Sequence, residues 1–259
     1  MIRDKIKKIV LIYEGVKAEA NLFENINQNF FDHKADIRIV VLPASGNIYM
    51  LWSKLKADDF QTDLISVLKE MNSGITEKLK DMAADDFSEV YLFFDYDGHN
   101  NNIPKEFRGI DVLAEMLETF NNETELGKLY ISYPMVESIK EISVCRRDYK
   151  TFHLPLEDCA RYKQIVGGKS DYCDYKNITK EMWYSACDAS RKRASLIVSY
   201  KDQCSYHDFL RKVTQENIYN AQKNSFIKEN KAIGILNSIP LFLIEYYDED
   251  FWNLICGEE

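Results

Sequence analysis

Two short apolar segments of the chain stop abruptly at acidic residues. Residues 6–13 form a β-branched run that is followed at once by Glu14, and residues 89–94 form a second run that leads into Asp95 and Asp97. Short apolar runs that end in polar turn residues are typical of buried β-strands. We therefore expect a sheet in which at least two strands end in carboxylates.

Strands and helices alternate along the first 145 residues. Besides the two runs above, the apolar spacing predicts these elements in chain order: helix 17–31, strand 37–42, two or three helices within 48–82, helix 110–120, strand 128–132 and a helix from Pro134 to about 144. This alternation predicts an α/β fold with a parallel sheet, right-handed crossovers and flanking helices. In such sheets, ligands bind at the carboxyl ends of the strands.

The pattern becomes mainly helical after residue 145. Helical spacing recurs over about 178–200 and 206–230, with a short strand at 232–236. We therefore predict the following organisation: a metal-binding α/β domain over 1–145 with a helical insertion at about 43–85, and a helical C-terminal region over 146–259.

The acidic residues at the strand ends have the chemistry of a magnesium site. Asp95 and Asp97 are two residues apart, so their side chains project the same way from extended backbone and can reach one ion. Mg²⁺ binds carboxylate oxygens and keeps several waters and a substrate phosphate in its shell. Glu14 would add a third carboxylate, and Gly15 behind it lets a ligand approach the backbone closely. As an alternative, both aspartates act only as turn formers.

Three segments resemble the motifs of the Toprim fold. The strand that ends in Glu14, with Glu19 five positions later, resembles the first motif, and the strand that ends in Asp-x-Asp at Asp95 resembles the second. The Pro-x-x-Glu segment that ends at Glu137 is similar to the helix start of Toprim proteins in the OLD-like and RloB-like groups of bacterial anti-phage defence. The resemblance covers residues 6 to about 145.

This resemblance implies a hydrolase, namely a metal-dependent nuclease that cleaves phosphodiester bonds in DNA or in RNA such as tRNA. Glu14 would act as a ligand or general acid/base, Asp95 and Asp97 would hold Mg²⁺ or Mn²⁺, and Glu137 would complete the metal shell. Lys140, one turn later on the same face, would neutralise charge on the phosphate. The family context further implies an effector of antiviral defence that acts by abortive infection.

The chain departs from the family pattern in two respects. The insertion between the second and third strands is long for a minimal Toprim core, and the C-terminal half has no GxxxxGK[ST] motif. Any ATPase or sensor would therefore be a separate protein. The sequence leaves two roles open: His99 as acid/base or simple hydrogen bonder, and Glu19 as metal ligand or solvent-facing side chain.

Two other functions fit parts of the pattern. In a haloacid dehalogenase-like phosphatase, Asp95 would be the nucleophile, Asp97 the acid/base and Ser132 part of the second motif. That nucleophile normally lies on the first strand, and this interpretation gives Glu14 and Glu137 no role. The other alternative is a catalytically inactive Toprim-like module that binds or regulates a partner.

The charge distribution bears on how nucleic acid would be held. The net charge of −9 argues against a protein that coats nucleic acid indiscriminately, because that mode requires many neutralised phosphates. The candidates for contacts to a phosphate backbone are basic clusters after residue 142, Arg146-Arg147 and the run from Arg191 to Arg193.

The remaining composition excludes several classes of protein. The six cysteines form no Cys-x-x-Cys pair and have no histidine at zinc-finger spacing. The longest apolar stretch, 233–244, is interrupted by polar residues and is shorter than the roughly 20 residues that cross a bilayer. The N-terminus runs directly into a strand, so we expect no signal peptide, no membrane partner and a cytoplasmic location.

Overall fold

The structure is a computed structural model that describes residues 7–15, 17–31, 35–41, 48–71, 73–96, 111–142, 152–168 and 170–257. Of the predicted functional residues, Asp97, His99, Arg146 and Arg147 lie outside these ranges. The chain divides into two compact units: the first comprises Met1–Phe94 and His99–Leu129, and the second comprises Asp95–Gly98 and Tyr130–Glu259.

The α/β class is confirmed, and the described residues form a five-stranded sheet. Its strands are β1 (Lys7–Tyr13), β2 (Ala35–Val41), β3 (Glu89–Asp95), β4 (Asn121–Asn122) and β5 (Gly127–Ser132), in the order β2-β1-β3-β5-β4. β1 pairs in parallel with β2 and β3, whereas β4 pairs antiparallel with β5. The predicted parallel sheet is therefore confirmed for β1, β2 and β3, whereas the sheet as a whole is mixed, because the chain reverses after β4 and adds an antiparallel edge.

Glycine is needed where this reversal enters β5. Gly127 has a φ of +103°, a conformation that side chains rarely adopt. A Cβ atom at this position would also lie 2.6 Å from Leu92 Cδ1, so the turn packs directly on β3.

The strand register places several strand ends together in the first unit. Tyr13 of β1 pairs with Val41 of β2 and with Phe93 of β3, so the carboxyl ends of these parallel strands lie at one edge. Residues 9–12 of β1 are fully buried, as expected for a parallel strand that is covered on both faces.

The helices of the first unit follow the predicted apolar spacing. The observed segments are the helices Ala18–Ile26, Ile48–Ala57, Leu64–Met71, Ser73–Lys78 and Val112–Thr119, the π-helical turn Asn27–Phe31 and the 3-10 turn Ala84–Asp86. Phe23 on the first helix stacks on Tyr13 at a centroid distance of 5.2 Å and contacts Phe93 at 4.6 Å. The apolar face of this helix therefore covers β1 and β3.

The second unit is mainly helical, as predicted for the C-terminal region. Its helices are Tyr162–Ile165, Lys180–Ile197, Tyr206–Lys212, Gln215–Ala221, Ser238–Tyr246 and Glu249–Cys256, with a π-helical segment at Gln222–Glu229 and 3-10 turns at Val136–Glu141, Leu156–Arg161 and Tyr175–Asn177. Several begin at a hydroxyl or carboxylate cap: Thr179, Ser205, Thr214 and Asp248 each accept a hydrogen bond from a backbone N–H of the first turn.

Three details of the second unit differ from the expectation. The helical stretch predicted at about 206–230 consists of three segments, because Thr214 starts a new helix within it. The strand predicted at 232–236 is shorter, β7 (Ala232–Gly234), and pairs with a strand that the sequence did not predict, β6 (His153–Pro155).

The helix predicted from Pro134 begins two residues later and is a 3-10 helix as far as Glu141. The Tyr133–Pro134 peptide bond is cis, and a 3-10 helix begins only at Val136. Tyr133 is held in an antiparallel bridge with Leu236, with backbone hydrogen bonds of 2.8 and 2.9 Å in the two directions. The backbone of Tyr133, directly before the proline, is therefore extended and paired with Leu236.

Among the helices that the structure describes, none has the length and apolar character needed to cross a membrane.

Candidate metal site

The end of β3 is tied to the segment that carries Glu137. The Asp95 carboxylate accepts a hydrogen bond through Oδ1 from the Val136 backbone N–H at 2.8 Å. The next residue, Tyr96, donates its backbone N–H to the Ser132 carbonyl at 2.8 Å. Since Val136 is the first residue of the 3-10 helix, the side chain of Asp95 caps the turn in which Glu137 is the second residue.

Glu137 is a buried carboxylate with an incomplete set of partners. The residue is 7% exposed, and its Oε1 lies 3.1 Å from Lys163 Nζ. Its Oε2 is buried and has no hydrogen-bond partner in the described part of the chain. Because a buried carboxylate oxygen is costly to leave unpaired, this atom marks a position for a donor or a cation.

The backbone around Glu137 is fixed by Asn237. The Asn237 Nδ2 donates to the Val136 carbonyl at 2.7 Å and to the Ser138 hydroxyl at 3.1 Å, and both side chains are fully buried. Asn237 therefore fixes the residues on both sides of Glu137 in the chain. A ligand side chain with a constrained backbone loses little entropy when it binds an ion.

Lys140 occupies the next position on this turn. Residues three apart eclipse each other in a 3-10 helix, so Glu137 and Lys140 lie on the same side although the turn is not α-helical. The Lys140 ammonium lies 5.5 Å from the centroid of the Tyr175 ring, a cation–π distance.

Buried charges lie at the end of the same turn. Burial raises the pKa of Glu141, and the nearby Arg193 guanidinium and Tyr162 hydroxyl oppose that rise. Burial, together with the charges of Glu141 and Glu137, also raises the pKa of Tyr162, which stays protonated at neutral pH. Burial lowers the pKa of Arg193 to about 10, which leaves it charged at neutral pH.

In the first unit, Glu14 has a helix-capping contact. Its Oε1 accepts a hydrogen bond from the Ile48 N–H at 3.1 Å, and Ile48 is the first residue of the helix Ile48–Ala57. A carboxylate at a helix N-terminus satisfies a backbone donor and interacts favourably with the helix dipole. Glu14 therefore anchors the predicted helical insertion to the end of β1.

Glu19 lies over the backbone of Gly15. A Cβ atom on Gly15 would be 1.8 Å from Glu19 Oε2, so the carboxylate occupies the space that glycine leaves. Burial raises the pKa of Tyr13, and Glu19 and Glu24 add to the rise. The Glu19 side chain is thus directed at the end of β1.

The complete site of four carboxylates stays a prediction. Glu14 belongs to the first unit, Asp95 and Glu137 belong to the second, and Asp97 lies outside the described residues. Within the described ranges, no group of three or more His, Cys, Asp or Glu side chains is placed to hold a metal ion. What the structure describes is the hydrogen bond from the Val136 N–H to Asp95, which ties Asp95 to the turn that carries Glu137.

No protein-family model matches the chain, and no curated protein or solved structure matches it either. The likeness to Toprim proteins therefore continues to depend on the motifs themselves.

Lys163 and Asn237 were not predicted from the sequence. Lys163 lies in a four-residue helix without a recognisable pattern, and Asn237 is about a hundred positions from the turn that it holds. Neither residue is near a motif, so the sequence carries no signal for them.

The basic run from Arg191 to Arg193 is not available as predicted. Arg191 is 6% exposed and pairs with Asp188 at 2.7 Å, while Lys192 pairs with the same carboxylate at 2.6 Å. Arg193 is 1% exposed and donates to the carbonyls of Ile235 and Glu141 at 3.1 and 3.0 Å. The two arginines stabilise the second unit, and the prediction that they contact a phosphate backbone is wrong.

Ser132 bears on the phosphatase alternative. Its hydroxyl is buried, lies 3.0 Å from the Ser238 hydroxyl and accepts the Ser238 N–H at 3.3 Å. A hydroxyl that is engaged in the core in this way is not positioned to bind a substrate phosphate, which argues against the phosphatase.

Proposed function

We propose that this protein is a Mg²⁺- or Mn²⁺-dependent nuclease with a Toprim-like fold, which cleaves phosphodiester bonds in DNA or RNA. The observation that carries the proposal is the Glu137 carboxylate, buried with one oxygen unpartnered in the described part of the chain. It lies on the turn that Asp95 caps through the Val136 N–H.

The donor atoms suit a small divalent cation. Mg²⁺ is commonly bound by one or two carboxylates, and waters and substrate phosphates fill the rest of its shell. Glu137 supplies one buried oxygen, and the backbone hydrogen bond to Asp95 Oδ1 orients a second carboxylate. From the sequence, Asp97 is a further ligand, and Glu14 is a ligand or general acid/base.

The chain's own residues would position the substrate. The ammonium of Lys140, on the same side of the turn as Glu137, would contact and neutralise the phosphate. Asn237 would keep the turn fixed while the substrate binds. A bound Mg²⁺ would lower the pKa of an attacking water and would stabilise the negative charge on the leaving oxygen.

The biological setting is proposed from the motif resemblance alone. We propose that the protein is an effector of a bacterial anti-phage system that acts by abortive infection. Nucleic acid would be the substrate, and a separate ATPase or sensor protein would be the activating partner.

Cleavage assays test the proposal. Purified full-length protein is incubated with supercoiled plasmid and with total tRNA, in Mg²⁺, in Mn²⁺ and in chelator. We expect cleavage only with a divalent ion, and a loss of about 100-fold or more in Glu137→Gln and in Glu14→Ala. Arg161→Gln is the matched control, since this exposed residue pairs only with Asp158 among the ion pairs of the described residues.

Cleavage that persists in chelator would contradict the proposal. So would full activity in the Glu137→Gln chain. Metal binding without cleavage of either nucleic acid would instead favour the inactive Toprim-like module.

A further inference from the structure

Lys163 supplies a positive charge to Glu137 from within the chain. Its Nζ lies 3.1 Å from Glu137 Oε1. The lysine side chain is 65% exposed, whereas that of Glu137 is 9% exposed, so the ammonium reaches from the surface to a buried carboxylate. A lysine ammonium is a compact point charge on a flexible stem, which suits it to such a position.

This ion pair limits how Glu137 can bind metal. In sites with two divalent ions, the ions lie about 3.5–4 Å apart and share ligands. A bridging carboxylate gives one oxygen to each ion. Glu137 has committed Oε1 to Lys163, which leaves Oε2 as the atom without a partner in the described part of the chain. Asp95 likewise has Oδ1 committed to the Val136 N–H at 2.8 Å.

We infer that Lys163 takes the place of a second divalent ion at Glu137, so that each chain binds one Mg²⁺ or Mn²⁺. The inference rests on the proposed metal-dependent function and specifies its stoichiometry. One oxygen of Glu137 binds the ion and the other is neutralised by the lysine. The site would therefore have two positive groups, one bound divalent ion and the ammonium of Lys163.

Removing this charge has a defined consequence. In Lys163→Gln, both oxygens of Glu137 become available and the repulsion between the ammonium and the bound ion is lost. We expect the variant to bind a second Mn²⁺ and to bind the first about tenfold more tightly, because a partly screened unit charge nearby has an effect of this order. Lys163→Arg keeps the charge and should bind one ion.

The experiment is a Mn²⁺ titration of the full chain, with free Mn²⁺ followed by electron paramagnetic resonance. The matched control is Arg161→Gln, which removes a positive charge two positions away that pairs with Asp158 instead of Glu137. We expect one bound ion in the wild type, Lys163→Arg and Arg161→Gln, and two ions in Lys163→Gln. Circular dichroism confirms that each variant is folded.

The ion count decides the result. Two ions in the wild type, or one ion in Lys163→Gln, would overturn the role of Lys163 and leave the proposed nuclease intact. A wild-type chain that binds no Mn²⁺ would overturn both the role of Lys163 and the proposed function.

Discussion

Two substitutions of Asp95 separate its structural contact from its proposed role at the metal. The carboxylate accepts the Val136 N–H at 2.8 Å in a partly buried position. Alanine removes the acceptor and leaves this N–H without its partner, which costs about 1–3 kcal/mol of folding free energy. Asparagine keeps an acceptor oxygen at the same place, so we expect a loss below about 1 kcal/mol.

Cleavage should respond differently from stability. Both substitutions remove the negative charge that the proposal assigns to metal binding. Several kcal/mol of transition-state stabilisation depend on such an ion, so we expect both variants to cleave at least about 100-fold more slowly than the wild type. The Asp95→Asn chain would thus be stable and inactive.

Urea denaturation followed by tryptophan fluorescence measures the stability, and plasmid and tRNA cleavage at saturating Mg²⁺ measures the rate. An Asp95→Asn chain that cleaves near the wild-type rate would refute the role in metal binding. An Asp95→Asn chain as unstable as Asp95→Ala would refute the assignment of the cap.

Three other substitutions test neighbouring contacts. Arg193→Ala should lower the unfolding free energy by about 3–5 kcal/mol, because it removes a buried cation bonded to two carbonyls; a loss below about 1 kcal/mol in urea denaturation would contradict this. Ser132→Ala should lower the unfolding free energy by about 1 kcal/mol, because the hydroxyl contact with Ser238 is lost, and it should leave nucleic-acid cleavage unchanged. If the wild type releases phosphate from small esters and the variant does not, the phosphatase is favoured instead. Burial raises the pKa of Glu141 in the folded chain, so its ionisation opposes folding above that pKa and has no effect well below the unfolded value. Glu141→Gln should therefore melt at a higher temperature than the wild type at about pH 8 and equally at about pH 3; the reverse pH trend would contradict the burial argument.

The sequence predicted the central strands well because their signal is local. Residues 9–12 of β1 and the run before Asp95 are continuous apolar segments that are buried on both faces, so apolar character alone identifies them. The helix predicted from Pro134 starts two residues later because the tertiary structure decides the geometry there. The bridge between Tyr133 and Leu236 delays the turn after Pro134, and it joins residues about a hundred positions apart.

Of the residues in the candidate site, the sequence points only to the carboxylates. Glu137 is the last residue of a short motif, but its partner Lys163 comes from a separate short helix. The run Arg191 to Arg193 looks like a surface cluster, yet the helix Lys180–Ile197 turns its arginines into the second unit. The charge of these residues alone does not distinguish an exposed basic cluster from a buried one, because burial depends on which face of the helix packs against the rest of the unit.

The most direct measurement is an anomalous difference map from crystals grown with Mn²⁺. We predict a peak about 2.1 Å from Glu137 Oε2, with Asp95 in the same coordination shell. Absence of a peak there, while Mn²⁺ supports cleavage in solution, would contradict it.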